Sequence, residues 1–143
     1  MFGNDRNELR RLFFNTWHKA QQREPLEPLE GLIAEIIKLH PEYHALLADE
    51  QANLDKDYTP EIGQTNPFLH MAMHISLQEQ LQTDRPAGVR ALYQQRMLKQ
   101  ADPHEVEHDM MECLGQMIWR AQRDNRPPDE NNYLQCLRDL SPR

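Results

Sequence analysis

Three histidine pairs in this chain share one spacing: His40 with His44, His70 with His74, and His104 with His108. His18 alone stands outside the pattern. A separation of four residues brings two side chains to one face of a helix, one turn apart. Two neutral imidazoles so placed can grip one metal ion, or face another such pair across a helical bundle. The third pair is followed by Glu112, a carboxylate one further turn along.

The three pairs are not equivalent. Pro41 lies between His40 and His44 and disfavours helical backbone at His40. Those two rings are not expected to share a face. His40 reads instead as the end of a helix, where a cationic ring suits the negative end of the dipole. On a helical wheel at ~100° per residue, Ser76, Glu79, Gln80 and Thr83 mark the wet side around the second pair. His74 points the other way, with His70, Gln78 and Leu81 beside it. Inward imidazoles need partners, because an unsatisfied polar group in a core is costly. A metal can supply them, and so can backbone carbonyls, tyrosine hydroxyls or water.

Around the third pair, Asp109, Gln116, Arg120 and Arg123 mark the exposed side, and Met111, Leu114, Ile118 and Ala121 the core. The row His104, His108, Glu112 falls on the shoulder between them, beside Gly115 and Trp119. His104 sits in the first turn, where the positive helix end favours a neutral ring, the form that binds metal. The candidate metal set is therefore His70, His74, His104, His108 and Glu112, enclosing zinc, iron or manganese between antiparallel helices. With an open coordination position, Glu79 or Glu105 is a candidate proton acceptor. No reaction class follows from this. The plain alternative is that His104 helps start its helix and His108 hydrogen-bonds Glu112.

The elements that must position these residues read as helices throughout. Gly is scarce, at 5 of 143 residues, and no segment alternates apolar and polar as a half-buried strand would. The expected fold is an all-α, single-domain bundle of five to six helices. A first helix is predicted over about 5–22, capped by Asn4 or Asp5, with Leu9, Leu12, Phe13 and Trp17 as its apolar stripe. A second runs to about His40, with Leu29, Leu32, Ile33, Ile36 and Ile37 inward. Pro41 ends it and is a candidate start for a short helix through Ala48. Residues 49–65 read as an irregular loop. Asn66-Pro67 starts a helix to about Gln82, Asp84-Arg-Pro86 another to about Gln100, and Asp102-Pro103 a third to about Asp124. Residues of about 130–140 are a candidate last short helix.

Composition bounds the function classes. A chain of 143 residues suits one domain with one core. Its net charge of −7 disfavours nonspecific phosphate-backbone binding, although Arg6, Arg10 and Arg11, and again Arg120, Arg123 and Arg126, form local basic groups. Cys113 and Cys136 are too few for a disulfide framework and read as ordinary reduced thiols of a cytosolic protein. Cys113 falls roughly opposite the core direction on its helix. The N-terminal residues do not form a secretory signal, and no apolar run is long enough to span a membrane. Phosphate-loop, dinucleotide, nucleophile-elbow and zinc-ribbon motifs are missing, so no nucleotide cofactor is expected. Glu105-x-x-His108 has the spacing used by di-iron bundles but occurs once. In spacing alone, the histidines resemble those of hemerythrin-like bundles.

Two stretches carry a family resemblance. One is Asn66-Pro-Phe-Leu-His-Met-Ala-Met-His-Ile-Ser-Leu-Gln-Glu-Gln80, followed by Asp84-Arg-Pro-Ala-Gly88. The other is His108-Asp-Met-Met-Glu-Cys-Leu-Gly115 with Trp119 and Ala121-Gln-Arg123, and Pro128-Asp129 and Tyr133-Leu134 fit as well. Together they resemble short proteobacterial proteins catalogued as domain of unknown function 1841. The resemblance implies a cytoplasmic bacterial protein and supplies no activity or ligand set. Two functional readings follow. The first is a metal-binding bundle. The second is a non-catalytic adaptor for a protein or ribonucleoprotein, with structural histidines. Its surface would be the 49–65 loop, the arginine face near 120–126 or a methionine-lined groove.

Overall fold

Proline and short polar caps decide where the helices begin. In a computed structural model that describes residues 6–56, 58, 66–99 and 102–140, Pro28, Pro67 and Pro103 each open a helix. Proline suits that position because its missing N–H would have no intrahelical partner there. Asp49, Asp102 and Asp129 cap helices by accepting from the backbone N–H of Ala52, His104 and Asn132 at 3.0–3.1 Å.

The described residues form eight α-helices: α1 Arg6–Gln21, α2 Pro28–Lys38, α3 His44–Leu47, α4 Glu50–Asn53, α5 Pro67–Thr83, α6 Val89–Met97, α7 Pro103–Asp124 and α8 Glu130–Arg138. A single 3-10 turn, Pro41–Tyr43, precedes α3. The all-α class is as expected, and the helix count exceeds five to six. The surplus comes from short pieces. The short helix expected between Pro41 and Ala48 forms as a 3-10 turn followed by α3. The stretch expected to be irregular contains α4, one turn held by its Asp49 cap. Residues 57 and 59–65 of that stretch, and the predicted caps Asn4 and Asp5, lie outside the described residues.

The chain folds into two compact units, divided between Ile75 and Ser76 inside the continuous helix α5. The core of the first unit is Phe13 and Phe14 from α1, Ile33, Ile36 and Ile37 from α2, Leu47 from α3, and Phe68, Met71 and Ile75 from α5. Phe68 meets Phe13 and Phe14 with ring centroids 6.0 and 5.7 Å apart. Leu29, expected inward, is 39% exposed: it shares the face of Ile33 and Ile37 but sits in the first turn of α2, at the end of that stripe. Lys19 on α1 donates to Glu30 on α2 at 2.9 Å. Arg10, buried on α1, donates to the carbonyls of Leu54 and Lys56 at 2.9 and 2.7 Å.

In the second unit α7 is the central element, packed by α6 and α8. Two expectations for α7 are corrected. Asp109, placed on the wet side by the wheel, is buried and pairs with Arg96 of α6 at 3.1 Å. Cys113, placed opposite the core and read as a free thiol, is buried and joined to Cys136 of α8 by a disulfide. The wheel misplaces both because α7 is covered by neighbours on more than one side, so a charged residue is buried with its counter-ion. Tyr133 of α8 donates to Gln80 Oε1 at 2.6 Å, and Gln78 Nε2 donates to Glu107 Oε2 at 3.0 Å.

Candidate metal centre

The first unit brings three imidazoles together: His40, His70 and His74. Their placement starts with the end of α2. Leu39 closes that helix, and Pro41 holds His40 out of helical backbone, at φ −126° and ψ 67°. From there the His40 ring folds back, and Nδ1 lies 2.8 Å from the carbonyl oxygen of Ile36. Carbonyls near a helix C-terminus need an outside donor. A carbonyl can only accept, so Nδ1 carries the proton, and in the neutral ring Nε2 is left as a lone pair. His40 is 3% exposed.

His70 and His74 stand one turn apart on α5. Their register is fixed by Asn66, whose Oδ1 accepts from the backbone N–H groups of Phe68 and Leu69 at 3.0 and 3.2 Å. His74 is buried and His70 partly so. The Nε2 atom of His70 lies 3.2 Å from His40 Nε2 and 3.3 Å from His74 Nε2. The donor nitrogens of His40 and His74 lie within 4.8 Å of each other. Tyr43 stacks on His40, with centroids 5.3 Å apart and planes within 7°. Burial, with a smaller contribution from the charge of Glu42, raises the Tyr43 phenol above its ordinary range.

These separations have a chemical consequence. A ring nitrogen has one in-plane position, occupied by a proton or a lone pair. His70 Nε2 therefore cannot make a separate linear hydrogen bond to each of two neighbouring nitrogens. Three lone pairs directed at one cation satisfy all three rings at once. Zinc–imidazole bonds of ~2.0–2.1 Å at tetrahedral angles place ligand nitrogens about 3.3 Å apart, close to the two Nε2 separations around His70. This histidine cluster could hold a metal ion.

His104 and His108, of the second unit, form their own pair near the start of α7. Their ring centroids are 4.2 Å apart, and their donor nitrogens lie within 4.8 Å of each other. His108 Nδ1 is 3.8 Å from Glu105 Oε1. Glu112 is exposed and lines a cleft with Arg96, Asp109 and Arg120. His44 diverges from His40: its Nε2 lies 2.9 Å from the Ile37 carbonyl, and its ring packs on Trp17 at 4.4 Å.

The Pro41 break puts His40 at a helix end. That position is where it lies, and the same residue also joins the cluster. No spacing rule links residue 40 to residues 70 and 74, so only tertiary folding shows the association. Among the described residues, no helix is long and apolar enough to cross a membrane.

An all-helical chain with clustered imidazoles is the class these features define. It belongs to the family described as "Domain of unknown function (DUF1841)", whose profile matches residues 5–139. Comparison with curated proteins gives no match, and neither does comparison with solved structures.

Proposed function

We propose that this protein binds a divalent transition metal through its helical imidazoles. His40, His70 and His74 are the central donors. His104 and His108 are the second set, carried forward from their spacing and their mutual proximity. The observation that carries the proposal is the pair of Nε2 separations around His70, 3.2 and 3.3 Å. Imidazole donors suit zinc or iron better than manganese, which prefers oxygen ligands. The proposal does not call on Glu112. A three-imidazole ion keeps a position for water, the arrangement of catalytic rather than structural zinc. We place the protein in the bacterial cytoplasm, on the resemblance noted from the sequence.

Elemental mass spectrometry on untagged protein tests the reading, with a thermal-shift control in chelator. Near-stoichiometric zinc or iron, together with a melting temperature lowered by chelator, is the expected result. No metal, and no response to metal added back, overturns it. Metal content of the H40A/H74A and H104A/H108A variants tells which donors each ion uses.

A second reading, a protein-binding adaptor, rests on Trp119. This residue is 58% exposed, and the Arg123 guanidinium lies 4.6 Å from its ring centre. Exposed tryptophan beside arginine is the composition of interface anchors. Loss of a captured partner on Trp119→Ala would support it, and equal capture by both proteins would remove it.

A further inference from the structure

The two sulfurs of the Cys113–Cys136 disulfide have different surroundings. Cys113, in the middle of α7, is 1% exposed. Cys136, on α8, is half-buried and lines a cleft of about 610 Å³ within the second unit, whereas Cys113 does not. That volume is in the range of small-molecule sites. The residues that line the cleft include the cationic Arg120, the amides Asn132 and Gln135, and the acidic Glu112 and Asp139, whose carboxylate accepts from Gln135 at 3.0 Å. Arg96 also lines it, already paired with Asp109 at 3.1 Å. Walls of both signs suit a zwitterionic molecule, with a carboxylate on Arg120 and an ammonium near Glu112 or Asp139.

We propose that Cys136 is a thiol–disulfide exchange site whose co-reactant is a zwitterionic low-molecular-weight thiol held in this cleft. The thiolate of that molecule attacks Cys136 Sγ. The Cys113–Cys136 bond breaks, and its electron pair stays on Cys113 Sγ, which takes a proton from solvent. A mixed disulfide on Cys136 results. A second small thiolate then attacks the small-molecule sulfur of that mixed disulfide. It leaves as the symmetric disulfide, and Cys136 leaves as a thiolate. In sum, one protein disulfide is reduced and two small thiols are oxidised. Exchange depends on access to the attacked sulfur, and Cys113, 1% exposed, borders only a small space of about 40 Å³, too narrow for such a thiol. Cys113 is thus the resolving cysteine, since in the reverse direction its sulfur expels the small thiol from Cys136.

The test uses the full chain and glutathione as the probe. Oxidised protein is treated with reduced glutathione, quenched with acid and mapped by peptide mass spectrometry. The adduct is expected on Cys136. With oxidised glutathione, Cys113→Ser should be modified at least about tenfold faster than Cys136→Ser, because only the former keeps the accessible sulfur. Arg120→Glu should slow exchange with glutathione by about threefold more than it slows exchange with 2-mercaptoethanol, which carries no carboxylate for Arg120 to hold. Adducts on Cys113, equal rates for the two cysteine variants, or two free thiols in air-oxidised wild-type protein would overturn the proposal. Adduct mapping on the wild-type chain decides the site even where a cysteine variant fails to fold. An Arg120→Glu effect equal for both thiols would overturn the assignment of the cleft.

Discussion

His40 and His70 face each other with Nε2 atoms 3.2 Å apart, although thirty residues separate them in the chain. One lies just past the end of α2 and the other in the first turns of α5. The contact predicts an effect that the regular histidine spacing would not. Replacing His40 with Ala should lower metal affinity as much as replacing His74, by more than about tenfold, since even outer-shell partners of a metal cost that much. Replacing His44 with Ala should leave metal content unchanged, because its ring is engaged by Ile37 and Trp17. Elemental analysis of the three variants checks this. Loss of metal in His44→Ala alone would contradict the geometry.

Helix positions were largely legible because their signals are local. Asp102-Pro103 and Asn66-Pro67 begin helices where cap and proline chemistry require. α6 starts at Val89, a few residues later than Asp84-Arg-Pro86 suggests. Asp84 does act as its cap, but from further back, accepting from the backbone N–H groups of Gly88 and Arg90 at 3.3 and 3.0 Å. Gly88 takes a φ of 101°, a conformation open to glycine, and α6 begins only after it. The candidate site was half legible. The pairs on α5 and α7 follow from helical periodicity. His40 does not, because a contact between distant segments leaves no trace in local spacing. The same holds for Asp109 and for the Cys113–Cys136 bond, each of which depends on a partner in another helix.

The Arg96–Asp109 pair is nearly dry, with side chains 10% and 4% exposed. Removing one partner takes this ion pair from a charge that little water reaches. Asp109→Ala should therefore cost about 3–5 kcal/mol of stability. Replacing both with apolar residues of similar volume, Arg96→Met with Asp109→Leu, should recover most of the loss. Denaturant melts of the single and double variants measure it. A double variant no more stable than Asp109→Ala would show that the site cannot repack.

Tyr133 supplies a pH-dependent term. Its ring is 1% exposed, and burial raises the phenol above its ordinary range despite the hydrogen bond to Gln80. An acid whose folded pKa lies above its unfolded value holds its proton longer in the native state. Its stabilising contribution is complete below the unfolded value, near ~10, and is lost as pH rises beyond it. Stability should fall on alkaline titration above about pH 10. Tyr133→Phe should flatten that fall, at a cost of about 1 kcal/mol at neutral pH for the lost hydrogen bond. Thermal melts across the alkaline range check both parts. An equally steep fall in Tyr133→Phe would assign the alkaline sensitivity to another group.

The disulfide makes the last prediction. It joins residues 23 apart, from the middle of α7 to α8. α8 is only nine residues long, too short to hold its own helical structure in water. In the chain-entropy account, closing a loop of this size stabilises the native state by roughly 3 kcal/mol, because the unfolded chain loses freedom. Reduction should lower stability by about that amount. The loss should concentrate in the second unit, where α8 is otherwise held by the burial of Tyr133, Leu134 and Leu137. Hydrogen exchange before and after reduction reads this directly: amides of α8 should lose protection first, and those of α1 and α2 should be unaffected. Uniform loss across the chain would mean that reduction unfolds the two units together. Unchanged protection in α8 would mean that packing alone holds it in place.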